Sequence, residues 1–192
     1  MPKREDIFQS VLIVSGSEQF ITEVKKALPV GRLLSVEVFK NGAAARRQIL
    51  ERYYDIVIVN IPLPDETGEG FAMDVTEICN ASVLMAAPQE IFEDAMESVS
   101  DHGILVLPKP FPQSRMNQAV RYLMSQRQTV RTMEMKIIKE REKTEELRIV
   151  NKAKFYLVEK CNMSEDEAHR YIGKQAMDHG ISRKRAAEKI LE

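Results

Sequence analysis

With 192 residues and a formal net charge of −1, the chain has room for one full α/β domain and a small second one, and its composition is that of an ordinary globular protein. No run approaches the roughly 18 apolar residues of a membrane span and no charged-then-apolar leader stands in residues 1–10, so no membrane partner is expected and the chain is expected in the cytoplasm. Charge is unevenly spread: residues 1–128 carry 13 Lys and Arg against 17 Asp and Glu (net −4), residues 129–192 carry 15 against 12 (net +3).

In chain order, short β-branched runs at residues 11–14, 35–39, 55–59, 82–86 and 104–107 read as buried strands, each followed by a segment that is helical by composition or period. Five βα units in succession predict an α/β fold, a doubly wound five-stranded parallel sheet covered on both faces. Ligands gather at the C-terminal ends of such strands, where Ser15, Gly16, Asn60, Ala86 and Lys109 all fall. Gly68 and Gly70 lack the rest of the GxGxxG and P-loop patterns and read as a helix start.

From residue 113 to 150 there is neither glycine nor proline, which predicts one long helix leaving the sheet domain. Met116, Ala119, Leu123, Gln126, Val130, Met133, Ile137, Glu140, Thr144, Leu147 and Asn151 alternate at spacings of three and four, a heptad seam with polar interruptions. A solvated connector is one reading. Pairing with a second copy, through Val130, Met133, Ile137 and Leu147, is favoured because these apolar residues have no other partner on so charged a segment.

Two shorter helices follow. Ser164 and Glu167 form a capping box with Met163 as staple, Gly180 ends that helix, and Ser182 caps a last helix with Ala186, Ala187 and Ile190 on its apolar face. Leu157, Met163, Ala168, Ile172, Met177, Ile181 and Ile190 have the spacing of a compact helical core. The expected organisation is a sheet domain over residues 1–125, a coiled-coil linker over 126–147 and a small three-helix domain over 148–192.

Cys79 and Cys161 lie outside any CxxC pattern and read as reduced thiols; with His102, His169 and His179 they offer no metal-ligand spacing, so no metal site and no cofactor is expected. No Ser/His/Asp or Cys/His arrangement suggests nucleophilic catalysis, and no catalytic residue is assigned.

Residues 55–68, DIVIVNIPLPDETG, together with VLIVSGSE, SVEVF, SVLMAA and ILVLPKPF, resemble the response-regulator receiver domain over roughly residues 8–125. The resemblance implies the flavodoxin-like sheet and a cis bond before Pro110. It also identifies what is missing. A working receiver forms an acyl phosphate on a carboxylate and holds Mg²⁺ with an acidic pair; Asn60 stands at the nucleophile and Ser15 and Gly16 at the pair. An amide is not a usable nucleophile here, and neutral groups do not replace hard anionic ligands. Ala86 replaces the switch hydroxyl and Val106 an aromatic that often reads phosphorylation. Lys109 remains, as an anion contact or, the favoured reading, as a scaffold residue paired with Asp65, Glu66 or a carbonyl.

The C-terminal stretch looks like an ANTAR domain, the three-helix RNA-binding output of transcription antitermination regulators. The resemblance covers roughly residues 145–192 and rests on Ala153, Lys154 and Leu157, then Ser164, Glu165, Glu167, Ala168, Ala176 and Met177. Phe155 departs from it, many members having a small residue there. Among the basic residues Lys152, Lys154, Arg170, Lys174, Arg183, Lys184 and Arg185, the motif singles out Lys154, and the cluster of three opening the last helix suits phosphate. Tyr156 and Tyr171 are packing residues or platforms for an unpaired base. The expected function is a homodimeric regulator binding RNA hairpins in nascent transcripts, with an unphosphorylated receiver and a possible upstream signalling protein. A DNA-binding regulator and a protein-interaction module are the alternatives.

Overall fold

The computed structural model describes residues 9–29, 31 and 33–192, so the expectations about residues 1–8 lie outside the described residues. The chain divides into two compact units, Met1–Arg131 and Thr132–Glu192.

The first unit is built on strands β1 (Gln9–Val14), β2 (Leu33–Phe39), β3 (Ile56–Asn60), β4 (Ser82–Pro88) and β5 (Leu105–Lys109), with helices α1 (Glu18–Ala27), α2 (Gly42–Glu51), α3 (Glu69–Cys79) and α4 (Phe92–Val99) between them and α5 (Gln113–Cys161) after the last. All the pairings are parallel, in the order β2-β1-β3-β4-β5. This is the doubly wound arrangement predicted, with the order reversal between β1 and β3. Alternation along the strands sorts two cores. Leu12, Val14, Val57 and Val59 face α2, α3 and α4, whereas Val11, Ile13, Ile56 and Ile58 face α1 and the start of α5. The outer strands β2 and β5 are only half-buried, unlike the buried strands expected of every apolar run, because an edge strand has a neighbour on one side alone.

Local chemistry fixes the helix starts. Ser17 and Asn41 cap α1 and α2 by accepting from the amides of Phe20 and Ala44. Asp65, reaching from the loop after β3, adds bonds from the amides of Gly42 and Ala43, both 2.9 Å, and these hold its carboxyl below the usual range. Gly68 opens α3 at φ +103°, and a Cβ there would stand 2.4 Å from Ile61 Cγ2. The Lys109–Pro110 bond is cis, as the resemblance implied, and Ile61–Pro62 is cis too.

The start of the long helix belongs to the first unit. Met116, Ala119 and Leu123, the first three positions of the predicted seam, are buried against the sheet and α1, so they are core rather than partner surface. Arg127 follows, with a side chain 3% exposed: its Nε lies 3.4 Å from Asp55 Oδ1, and its Nη2 donates to the Tyr53 hydroxyl at 2.8 Å. Asp55 accepts in turn from the amide and hydroxyl of Ser10 at 3.0 and 3.1 Å. This ion pair fastens the helix to the N-terminal end of β3, within the unit that runs to Arg131.

In the second unit the end of α5 packs with α6 (Glu165–Asp178) and α7 (Arg183–Leu191). Ala153 and Leu157, Ala168, Ile172 and Ala176, and Ala186 and Ala187 form its core. The capping box is present, the Ser164 hydroxyl accepting from Glu167 N and the Glu167 carboxylate from Ser164 N. At the other end Gly180 takes φ +61°, while Ile181 N donates to Ala176 O and Gly180 N to Met177 O, a Schellman stop. Met177 is the one misplaced core residue: it is 83% exposed, because the buried stripe of α6 runs 168, 172, 176 and residue 177 is a further 100° round the helix. No described helix is long and apolar enough to cross a membrane.

Candidate functional site

The C-terminal ends of the strands bring Ser15, Asn60, Ala86 and Lys109 together. Asn60, the last residue of β3, donates through Nδ2 to Ser15 Oγ at 3.0 Å and accepts on Oδ1 from Lys109 Nζ at 2.7 Å. The amide has to point this way, since an ammonium has only protons to offer. Lys109 donates also to the Ile61 carbonyl at 2.8 Å, and burial depresses its pKa below the ordinary lysine value. Ser15 Oγ accepts in addition from Ser17 N at 3.0 Å. Ala86, fully buried, lies opposite Asn60 in the β3–β4 register.

The lysine's partners are thus an amide and a main-chain carbonyl. Of the three candidates raised by the sequence, the carbonyl is right and Asp65 and Glu66 are not: Asp65 is taken up by the start of α2, and Glu66 pairs with Arg46. Gly16 lies at the rim, where a Cβ would come 2.9 Å from Pro64 Cγ. A larger side chain at position 16 would meet that ring. The proline could not be singled out from sequence, because only the fold brings its loop over Gly16. Hydroxyl, amide and ammonium therefore satisfy one another with no carboxylate among them.

The second group of residues lies on the three C-terminal helices. Arg183, Lys184 and Arg185 form the first turn of α7, where the Ser182 hydroxyl caps the amide of Arg185 at 3.2 Å. Arg170 and Lys174 share a face of α6 and, with Tyr171, border a shallow cleft of about 440 Å³. Lys152 is exposed on α5. Lys154 differs from these: its side chain is 17% exposed and its Nζ donates to Glu165 Oε1 at 2.7 Å, tying α5 to the first residue of α6. This bond and its charge hold the Glu165 carboxyl below the usual range. Tyr156 and Tyr171 both leave part of their rings in solvent, and Phe155 is 71% exposed.

A family model described as the ANTAR domain matches residues 140–191. The transcriptional regulatory protein PdtaR of Mycobacterium tuberculosis (strain H37Rv) is 30% identical over 141 residues, covering 72% of this chain and 67% of that protein. The chain belongs to the ANTAR response regulators. The fold of the first unit agrees with solved receivers. A CheY-like receiver domain protein from Methanospirillum hungatei superposes with a TM-score of 0.54 at 15% identity, covering 64% of this chain and 98% of that one. The chemotaxis response regulator CheY4 of Vibrio cholerae gives 0.52 at 21%, covering 60% and 98%. An ANTAR response regulator is a transcriptional regulator, and in this one the helices of the ANTAR domain carry an exposed basic surface while the strand ends hold a network of hydroxyl, amide and ammonium groups.

Proposed function

We propose that this protein is an RNA-binding transcription antitermination regulator that captures hairpins in nascent transcripts as a dimer, with a receiver that is not phosphorylated. The observation that carries the reading is the ANTAR match over residues 140–191 together with the exposed basic residues on those helices. Arg183, Lys184 and Arg185, with Arg170, Lys174 and Lys152, supply phosphate contacts. Lys154 joins them at the edge of the set, its charge already shared with Glu165. Two modules in one dimer would engage two neighbouring loops, the second contact gaining from effective concentration.

The test is binding of the full chain to a hairpin RNA and to duplex DNA of matched length across a range of salt. Affinity for the hairpin is expected to exceed that for the duplex and to fall steeply with salt. A combined Arg183/Lys184/Arg185→Ala variant should flatten the slope by about one unit per true contact, while Lys25→Ala and Lys26→Ala on α1 should not. Tighter binding to duplex DNA at matched salt would transfer the assignment to a DNA-binding regulator. Binding to neither would favour a protein-interaction module.

The receiver half of the proposal rests on the Ser15–Asn60–Lys109 network. With no carboxylate to accept a phosphoryl group and no anionic pair for Mg²⁺, incubation with acetyl phosphate and Mg²⁺ should leave the intact mass unchanged. Asn60→Asp alone should not restore an adduct, because the metal ligands remain absent and Pro64 crowds position 16. A phosphoryl group mapped to the end of β3 in the wild-type chain would overturn this half and leave the RNA half standing.

A further inference from the structure

We infer that Phe155 and the cleft beside it form a stacking slot for one unpaired nucleobase of the RNA, separate from the basic cluster opening α7 that holds phosphates. The inference rests on the RNA-binding reading and adds to it a site for the base itself. Asn151 lies three and four residues before Lys154 and Phe155, and Val158 lies four and three residues after them, so the four share one side of α5, and Glu165 faces them from the first turn of α6; together they line a cleft of about 270 Å³. The inner face of the same helical turns is occupied by Ala153 and Leu157, both buried, so Phe155 is turned away from the domain's own core and left 71% exposed.

The lining selects the ligand. A nucleobase has a flat apolar face and a polar edge, and the cleft offers a free ring, the half-buried Val158, and the amide of Asn151, which both donates and accepts. The Lys154–Glu165 pair at 2.7 Å closes the far wall with a further donor and acceptor in fixed positions. Phosphate does not suit the place, because the adjoining turn of α6 carries Glu165, Asp166 and Glu167. Positive charge for the flanking backbone is at hand on the same side of α5, where exposed Lys152 stands three residues and exposed Arg148 seven residues before Phe155. Apolar surface here amounts to one ring and one valine, rimmed by an ion pair and an amide, which fits a base better than it fits a protein helix.

The experiment uses the full chain and a pool of hairpin RNAs with one fixed stem and a randomised loop, from which the bound fraction is recovered and then labelled with 2-aminopurine at successive loop positions. Wild-type protein should quench 2-aminopurine strongly at one loop position. Phe155→Ala should abolish that quenching and weaken binding roughly 10-fold or more while leaving the salt slope unchanged, since stacking releases no counterions. Phe155→Trp should keep both, which guards against a fold defect as the cause of the loss. Asn151→Leu should change which base the recovered loops carry at the quenched position. Wild-type affinity and quenching in Phe155→Ala would overturn the slot while the RNA reading stood. A salt slope altered together with a loss of dimer in sedimentation would assign the cleft to a second copy of the chain and overturn it as well. Failure of the wild-type protein to retain any RNA would remove the RNA reading and the slot with it.

Discussion

Replacing Asp55 with alanine is expected to destabilise the first unit by about 3–5 kcal/mol, the usual result of removing one partner from a buried ion pair. Asp55 is 5% exposed and gathers the amide and hydroxyl of Ser10, the guanidinium of Arg127 and, at 3.6 Å, that of Arg131. Without the carboxylate the Arg127 charge keeps the Tyr53 hydroxyl and ring as neighbours but loses the Asp55 oxygen in a site water hardly reaches. Thermal unfolding followed by circular dichroism should show the first unit melting roughly 10 °C lower. Asp55→Asn should retain part of the Ser10 hydrogen bonding and still lose the pair. Removing both charges, in Asp55→Asn with Arg127→Met, should recover much of the loss, since an apolar substitute for a buried pair is often neutral or better. A double variant no more stable than Asp55→Ala would mean that the hydrogen bonds to Ser10, rather than the pair, hold this end of the sheet.

That ion pair also marks the limit of what the sequence discloses. The strands of the sheet were legible because β-branched runs bounded by turn residues have few other destinations, and the helix starts because capping serines and asparagines act over three residues. Asp55 and Arg127 meet only through the fold: an aspartate at the foot of a strand and an arginine in an amphipathic helix are each unremarkable alone. Arg127 sits four residues beyond Leu123 on the buried stripe, and a charged residue at a core position was the available signal. That Ser15, Asn60 and Ala86 meet at the strand ends was legible residue by residue. The partner of Lys109 was not, because the Ile61 carbonyl has no signature in sequence and the nearby carboxylates were the more obvious acceptors. Met177 is exposed and Ala176 buried because a phase one residue different decides burial on α6, and an apolar pair in sequence does not say which of the two faces inward. The basic residues of the C-terminal helices were readable as a set, but that Lys154 is pinned to Glu165 depends on how α5 meets the start of α6.

The second large effect is expected on assembly. Met133, Ile137 and Leu147 are each more than half exposed along α5 with Val130 half-buried before them, and they share one side of the helix, whereas Met135 and Ile138 lie on the other. In a parallel pair with this seam, Glu140 would occupy a core position flanked by the partner helix's copies of Lys136 and Arg141, so the polar step carries its own counter-charges and favours the in-register alignment. Lysine at positions 133 and 137 would set four ammonium groups against each other where the best apolar contacts of the seam should be. Sedimentation velocity on the Met133→Lys/Ile137→Lys variant should therefore report a shift from dimer toward monomer, a weakening of roughly 30- to 150-fold if about two to three kcal/mol are lost. Lysine at Met135 and Ile138 should leave the dimer intact. If the two pairs of substitutions behaved the other way round, the seam would run along the opposite face of α5, and if neither mattered the dimer would have to form through the sheet unit. Because two ANTAR modules gain from engaging adjacent loops only when they are joined, the monomeric variant should also bind a single hairpin with its wild-type salt slope but lose the advantage on an RNA carrying two.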